Sequence, residues 1–255
     1  MTRRFQGKVA IVTGVGHRAG RAASMLFALE GASVVVNDTD TLAAECLMNE
    51  INHSGGMAVA DSGDVSTLAG SDAVVARAVE TFGGLDILVN VRVPDCDRPL
   101  VETTAQDFDR VVSYTLRGAF MTTRSSSVQF RQQHSGRVVS ITSDAGLGDS
   151  GRAVSAAASE GIVGMTRTAA RDLGRYGVTC NAIAMSGSSE NGSHSAASLA
   201  GTLCLDLSSN VNGIVFGVDG GDLWTYSNPS IVRSFHKWGP STMDEMDHLF
   251  PSLFK

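Results

Sequence analysis

The sequence TGVGHRAGRA, residues 13–22, follows directly on the apolar run KVAIVT (8–13) and leads into a helical pattern. Glycines between a strand and a helix let the backbone come close to a diphosphate at the positive end of the helix. Asp38 closes the next predicted strand, where a carboxylate can accept hydrogen bonds from a ribose. The stretch therefore predicts a dinucleotide-binding βαβ unit, with Gly14, Gly20 and Asp38 as candidate contacts.

Short β-branched runs alternate with helical patterns along residues 1–221. Near-continuous apolar strands of this kind are typical of a parallel sheet that is covered by helices on both faces. The sequence predicts a single α/β domain: a doubly wound, Rossmann-type parallel sheet of about seven strands with helices on both faces. The predicted strands are residues 8–13, 32–38, 57–61, 85–90, 136–142, 178–184 and 213–220.

Residues 222–255 differ in composition from the domain that precedes them. They contain three of the five prolines and six of the fifteen aromatic residues of the chain. A solvated tail is rarely so aromatic, so we expect this C-terminal segment to dock on a partner subunit.

Charge and composition exclude several other classes of protein. A net charge of −6 argues against a nucleic-acid-binding face or a basic membrane-binding face. No apolar run is long enough to span a membrane. The four cysteines are widely scattered and no His or Cys spacing indicates a metal site, so we expect reduced thiols, no metal and a cytoplasmic protein.

Several motifs resemble those of the short-chain dehydrogenase/reductase family. The glycine turn resembles the family's TGxxxGxG. Five later stretches follow in the family's order and spacing: GDV (63–65), LDILVN (85–90), GRVVSITSDAG (136–146), VTCNAIA (178–184) and VNGIVFGVDGG (211–221). The resemblance implies an NAD(P)-dependent oxidoreductase in which Asn, Ser, Tyr and Lys act together. The tyrosine is then the general acid/base, the lysine lowers its pKa, the serine binds the substrate oxygen and the asparagine holds a water.

Three of those four roles have lost their side chains. The serine is present as Ser143, but Ser155 stands at the tyrosine position and Ser159 at the lysine position. Thr115 stands where the family has its asparagine. A serine hydroxyl titrates far above physiological pH and cannot replace an activated phenol. We therefore expect this chain to have no catalytic residues.

The lysine cannot have moved elsewhere in the domain. The chain has three lysines, Lys8, Lys237 and Lys255, and none between residues 9 and 236. Ser155 and Ser159 stand one helical turn apart, and the small residues around them suit a packing face better than a new active site.

The cofactor site resembles that of the family only in part. Five positions are retained as vestiges: Gly14, Gly20, Asp38, Asp64 and Asn90. Arg18 replaces the middle glycine of the turn, and Arg92 and Val93 add bulk where the family has small residues. We expect these three residues to block the site, so that this chain binds no cofactor. In an alternative interpretation, Arg18 pairs with a phosphate of a differently placed nucleotide.

Residues 188–201, SSENGSHSAASLAG, stand where the family has a helical lid over the substrate. The stretch is short and rich in Ser, Gly and Asn. We therefore expect a polar loop that cannot close on a substrate, with His194 as a solvated loop residue.

Loss of catalytic groups with retention of the fold predicts a surface that is kept for association. We expect an inactive subunit of a heterotetrameric dehydrogenase, whose homologous active subunit binds NAD and oxidises a secondary alcohol of a CoA thioester. The resemblance implies interfaces built by residues 107–126, 155–177 and 213–221. Two alternatives stay open: a cofactor-independent lyase, isomerase or cyclase that uses the serine hydroxyls, and a module that senses a nucleotide without turnover.

Overall fold

The computed structural model describes residues 3–91, 96–187 and 189–253. Its strands are β1 (Val9–Thr13), β2 (Ser33–Asn37), β3 (Met57–Asp61), β4 (Ile87–Val91), β5 (Gly136–Ser143), β6 (Val178–Met185), β7 (Val215–Asp219) and β8 (Asp222–Thr225). They form one sheet in the order β3-β2-β1-β4-β5-β6-β7-β8. Strands β1 to β7 are parallel, and β8 runs antiparallel to β7.

Eight α-helices are assigned within the described part of the chain. They are α1 (Arg18–Leu29), α2 (Thr41–His53), α3 (Leu68–Phe82), α4 (Ala105–Val111), α5 (Gly118–Gln133), α6 (Ala153–Gly174), α7 (Glu190–Cys204) and α8 (Met243–Leu249). A π-helical segment, Val112–Arg117, joins α4 to α5. Helices α1, α2 and α7 pack on one face of the sheet, and α3, α5 and α6 pack on the other.

Strand β1 shows how the sequence produces this arrangement. All five of its residues are buried. Successive side chains of a strand point to opposite faces. Ala10 and Val12 accordingly pack in the core under α1, α2 and α7, whereas Val9 and Ile11 pack in the core under α3, α5 and α6. The predicted doubly wound α/β domain is confirmed.

The prediction that residues 188–201 form a polar loop is wrong. Helix α7 covers almost all of this stretch, and Ser189 caps it by accepting a hydrogen bond of 3.1 Å from Gly192 N–H. Its buried alanines Ala196, Ala197 and Ala200 pack against the sheet and α1. The polar residues concealed this pattern, because small alanines carry the apolar face of the helix. His194 therefore lies on a helix, where it is exposed.

The sheet continues past the predicted domain boundary at residue 221. β8 pairs with the edge of β7, and the indole ring of Trp224 lies over Gly217 so closely that a Cβ there would overlap the ring. Beyond β8 the C-terminal segment exposes large apolar side chains, with Trp238 90% accessible. The eight strands thus exceed the predicted number by one, since the tail contributes the last.

No helix in the described ranges is both long and apolar enough to cross a bilayer.

Candidate functional site

The carboxyl ends of the parallel strands form the crevice where an open α/β sheet binds its ligands. β1 and β2 lie on one side of the point where the strand order reverses, and β4, β5 and β6 lie on the other. Thr13 ends β1, Val91 ends β4 and Ser143 ends β5. The predicted glycine turn and Ser143, the one retained residue of the family's four, therefore share one edge of the sheet.

The glycine turn has the backbone conformation that its sequence predicts. Gly14 has a φ of 67°, a left-handed conformation that glycine adopts without strain. A Cβ at Gly20 would overlap the carbonyl oxygen of Gly14, so the helix and strand need glycine here. The His17 side chain caps α1 by accepting a hydrogen bond from Ala19 N–H. The turn retains the close packing that a diphosphate site requires.

Asp38 follows β2 and lies beside this turn. Its Oδ2 accepts a hydrogen bond of 2.8 Å from Gly16 N–H, and its Oδ1 accepts one of 3.0 Å from Asp40 N–H. A carboxylate oxygen can accept more than one hydrogen bond. These backbone contacts therefore orient Asp38 and leave it able to accept from a ligand hydroxyl.

A cavity of about 210 Å³ opens beside Asp38. Asp64, Val65, Arg110 and the half-exposed Tyr114 also line it. Asp64 Oδ1 accepts a hydrogen bond of 2.9 Å from a backbone N–H two residues on, which closes the turn after β3. Carboxylates, an aromatic ring and a guanidinium make this cavity chemically suited to a nucleoside.

Arg18 does not line that cavity. It is exposed and borders a groove of about 890 Å³ along the outer face of α1, which Arg21, Met25 and Leu29 also line. That Arg18 blocks a cofactor stays a prediction. Arg92 and Val93, the other two residues predicted to block the site, lie outside the described residues.

Asn90 has a structural place within β4. It is 3% exposed. Its Oδ1 accepts a hydrogen bond of 2.6 Å from the Thr122 hydroxyl, and its Nδ2 donates one of 3.2 Å to the Thr123 hydroxyl. Both ends of the amide are therefore used to fasten β4 to α5.

Ser143 lies at the end of β5 and is 2% exposed. Its hydroxyl oxygen accepts a hydrogen bond of 3.1 Å from Ala145 N–H. The neighbouring Asp144 accepts a hydrogen bond at Oδ2 from the Ser186 hydroxyl, which joins β5 to the end of β6. The retained serine is thus held in a network of the protein's own polar groups.

Arg152, which sequence reasoning did not single out, extends into this network. Its Nη2 donates a hydrogen bond of 3.3 Å to the Ser143 hydroxyl. Its guanidinium also forms ion pairs of 2.9 Å with Asp97, 3.8 Å with Asp144 and 3.1 Å with Asp149. The side chain is 19% exposed. A cation therefore occupies space beside the serine at which the resemblance places the substrate oxygen.

Ser155 and Ser159 are both buried in the first half of α6, at 3% and 1% exposure. The Ser155 hydroxyl accepts a hydrogen bond of 3.0 Å from Cys96 N–H. Ser159 packs beside Gly146: a Cβ added at Gly146 would lie 3.6 Å from the Cβ of Ser159. Both side chains are therefore enclosed by the protein, and their role as packing groups stays a prediction.

Thr115 is buried in the π-helical segment between α4 and α5. Such single π turns often occur at functional sites. The helix that carries it is anchored at its start by a capping box between Thr104 and Asp107. Hydrogen bonds from the side chain and backbone of Thr104 hold the pKa of Asp107 below its usual range. Thr115, at the position of the family's asparagine, therefore lies buried in a π-helical segment.

Within the described ranges no three His, Cys, Asp or Glu side chains gather as a metal site. Burial raises the pKa of the Cys180 and Cys204 thiols to about 12, so neither forms a reactive thiolate near neutral pH.

The doubly wound sheet, the glycine turn and the carboxylate after β2 define a protein of the dinucleotide-binding α/β class. The sequence profile described as short chain dehydrogenase matches residues 8–195. The chain belongs to the short-chain dehydrogenase family. Members of this family typically bind NAD(P).

Two relatives have names that refer to CoA thioesters. The hydroxyacyl-CoA dehydrogenase ChsB1 of Mycobacterium tuberculosis is 42% identical over 193 residues, which span 70% of this chain and 61% of ChsB1. The (2S)-[(R)-hydroxy(phenyl)methyl]succinyl-CoA dehydrogenase subunit BbsD of Thauera aromatica is 33% identical over 180 residues, which span 71% of this chain and 73% of BbsD.

A solved structure matches nearly the whole chain. It is a short chain dehydrogenase from Mycobacterium avium, with a TM-score of 0.91 and 34% identity. The match covers 98% of this chain and 95% of the other. The C-terminal segment after β7 therefore falls within the matched span.

Proposed function

We propose that this chain is the catalytically inactive subunit of a hetero-oligomeric, NAD-dependent short-chain dehydrogenase. One observation carries the proposal: the residue at the tyrosine position, Ser155, is buried and its hydroxyl is bonded to the backbone of Cys96. A buried alcohol without a base cannot exchange a proton with a substrate near neutral pH.

The tyrosines and described lysines lie elsewhere and do not supply the missing groups. Tyr114 lines the cavity beside Asp38, and Tyr176 packs between two arginine side chains. Tyr226 packs against a core cluster that includes Val215. Lys8 is paired with Asp86, and Lys237 with a carboxylate in the C-terminal segment. No phenol–ammonium pair is therefore formed beside Ser143 within the described ranges.

The two ends of the cofactor crevice differ in how well they suit NAD. The end at Asp38 has a cavity and a correctly formed glycine turn, which suit an adenosine and a diphosphate. At the other end Arg152 takes the place of a proton donor beside Ser143. NAD would supply hydride acceptance when bound, but this chain offers no acid/base group to accompany it. We therefore assign NAD to the partner subunit.

The proposed partner is a homologous subunit with an intact tyrosine and lysine, and the proposed substrate is a secondary alcohol on a CoA thioester. The names of ChsB1 and BbsD support this substrate class, and BbsD is itself named as a subunit. More specifically, we propose that this chain is the inactive subunit of a heterotetrameric 2-(hydroxybenzyl)succinyl-CoA dehydrogenase of anaerobic toluene degradation. The proposed assembly involves neither nucleic acid nor a membrane.

The C-terminal segment supports an assembly of more than one chain. Ile231, Val232 and Trp238 are 85%, 88% and 90% exposed. Covering such exposed apolar side chains with another surface lowers the free energy. We propose that the partner subunit covers this segment.

The activity assay that tests the proposal measures NADH formation with 3-hydroxyacyl-CoA substrates and with 2-(hydroxybenzyl)succinyl-CoA. This chain alone is expected to give no rate above the uncatalysed control, whereas the complex with the homologous dehydrogenase turns over. Replacing the partner's catalytic tyrosine with phenylalanine should abolish turnover. NADH formation by this chain alone would contradict the proposal.

The nucleotide-sensing alternative is favoured by one observation, the cavity beside Asp38. Calorimetric titration with NAD and with AMP tests it, and Asp38→Ala and Asp38→Asn serve as paired variants. Saturable micromolar binding that Asp38→Ala abolishes would support a sensor. The inactive-subunit proposal predicts no such binding. The lyase, isomerase or cyclase alternative has less support, because its three serines, Ser143, Ser155 and Ser159, are all buried.

A further inference from the structure

The outer faces of α5 and α6 carry arginines without carboxylate partners. The arginine face is defined by Arg117, Arg124 and Arg131, along the π-helical segment and α5, and by Arg167, Arg171 and Arg175, along α6 and its C-cap. Within the described part of the chain none of these six guanidinium groups forms an ion pair.

Most described arginines elsewhere in the chain do have such a partner. The pairs are Arg4–Glu30, Arg21–Glu50, Arg77–Asp61, Arg98–Asp107, Arg110–Asp107, Arg137–Asp206 and Arg152–Asp97. A chain with a net charge of −6 has enough carboxylates to pair its arginines. The arginine face is therefore distinct, because its arginines have no carboxylate partners within the described residues.

The arginines of α5 form one stripe. Arg117, Arg124 and Arg131 are spaced by seven residues, which places them on the same side of a helix. All three are exposed. Phe120 and Val128 lie between them in sequence and are 50% and 56% exposed. The stripe thus alternates cationic and apolar side chains, as helix surfaces that pack on another helix do.

The helices that carry the face supply little negative charge of their own, although Asp72 of α3 reaches α5 by accepting a hydrogen bond from the Ser125 hydroxyl. Residues 112–133 contain no Asp, Glu or Lys, and α6 contains one Glu and one Asp. At the carboxyl ends of the two helices Arg131 and Arg175 both stack on the ring of Tyr176, at 5.1 Å and 4.9 Å. The Nε of Arg167 is buried and makes no hydrogen bond. The uncompensated guanidinium charge is unfavourable until negative charge is brought to the face, whereas the stacking on Tyr176 is favourable.

We propose that the arginine face binds an acidic helical surface of a different chain and rejects a second copy of this one. In an isologous pair the same surface of each copy faces the other, so the arginine stripes of two copies would meet, and like charges across an interface are strongly unfavourable. The proposal rests on the proposed function in one respect: it states the chemistry by which the partner subunit is selected.

A helical protein partner fits the face better than a nucleic acid does. Phosphates would pair with the arginines but would leave Phe120 and Val128 against solvent or charged groups. The net charge of −6 would also oppose association with a polyanion. Apolar residues between charges are better covered by a second helix pair.

The test uses this chain alone. In the variant Arg117→Glu/Arg124→Glu, the face presents carboxylates and Arg131 keeps its contact with Tyr176. Mixed with the wild type, this variant is expected to form a one-to-one complex in sedimentation velocity at low salt. Screening should weaken that complex at least about tenfold when the salt rises to roughly 0.5 M. The matched control Arg3→Glu/Arg233→Glu reverses two exposed arginines elsewhere and should form no such complex.

Three results would overturn the inference. The first is a folded double variant, verified by circular dichroism, that does not bind the wild type. The second is efficient disulfide cross-linking of Phe120→Cys to itself in a protein that also carries Cys46→Ser, which would show that two arginine faces pair; this measurement does not depend on the double variant folding. The third is oligonucleotide binding that Arg117→Glu/Arg124→Glu abolishes. None depends on whether the chain is catalytically inactive, so failure here is distinguishable from failure of the proposed function.

Discussion

Nη2 of Arg152 lies 3.3 Å from the hydroxyl oxygen of Ser143. Three carboxylates, those of Asp97, Asp144 and Asp149, surround the same guanidinium. Arg152 thus ties together the start of α6, the end of β5 and the segment that precedes α4. An ion cluster therefore lies beside Ser143, at which the resemblance places the substrate oxygen.

Arg152→Ala is expected to destabilise the protein, because three carboxylates lose their common cation. We expect the free energy of unfolding to fall by about 1–3 kcal/mol, since the guanidinium is largely buried but Asp97 and Asp149 are partly solvated. Urea denaturation measures this change. The control Arg4→Ala removes an exposed ion pair with Glu30 and should change stability by less than about 0.5 kcal/mol. Equal effects of the two variants would show that the cluster has no special structural role.

Restoring the family's residues with Ser155→Tyr and Ser159→Lys is not expected to create a dehydrogenase. Both positions are buried, so the larger side chains would overpack α6 and lower stability by roughly 1–3 kcal/mol. Arg152 would also remain beside Ser143. NADH formation with hydroxyacyl-CoA substrates is the measurement, and each single variant serves as a control. Appreciable turnover by the folded double variant would mean that the rest of the site is intact.

The absence of the tyrosine and lysine could be predicted from the sequence, whereas Arg152 could not. Ser155 and Ser159 were placed by the spacing of motifs around them, and spacing is a property of the chain. The direction of the Arg152 side chain depends on carboxylates that lie up to 55 positions away in sequence. The sequence signal for Arg152 is only that an arginine stands directly before α6, close to Ser155 at the family's tyrosine position. Contacts with residues distant in sequence determine where the Arg152 guanidinium lies.

Gly217→Ala is expected to displace β8 from the edge of the sheet. A methyl group at Gly217 would overlap the indole ring of Trp224, so the ring must move. We expect a shift of tryptophan emission to longer wavelength and a loss of about 1–2 kcal/mol of stability. Gly221→Ala is the matched control, because a Cβ at Gly221 meets no atom within 4 Å. If both variants keep the wild-type spectrum, Trp224 does not pack on β7 in solution.

Of the four cysteines, we expect only Cys46 to react rapidly with iodoacetamide in the native protein at about pH 8. Cys46 is exposed, whereas the other three thiols are buried. Burial raises the pKa of Cys180 and Cys204 to about 12, so their thiolate fraction is small at that pH and grows only above it. Intact-mass spectrometry counts the labels, and Cys46→Ser should remove the fast phase. Rapid labelling at two or more sites would contradict the described packing.

Most of the fold could be predicted because buried parallel strands have a continuous apolar pattern. The sequence does not indicate α7 because Ala196, Ala197 and Ala200 form its buried face, and alanine differs little in hydrophobicity from the serine and glycine around it. The sequence does not indicate β8 because its residues are exposed and form a strand by pairing with β7. In both places the structure depends on a neighbouring element more than on local pattern.

Native mass spectrometry is the most direct test of whether this chain functions as a non-catalytic subunit. The chain would be produced alone and together with the product of the nearest dehydrogenase-like gene, and both preparations would be measured at the same concentration. We expect a mixed complex that contains both chains, most simply two of each. A stable homo-oligomer of this chain that takes up none of the co-produced dehydrogenase would contradict it.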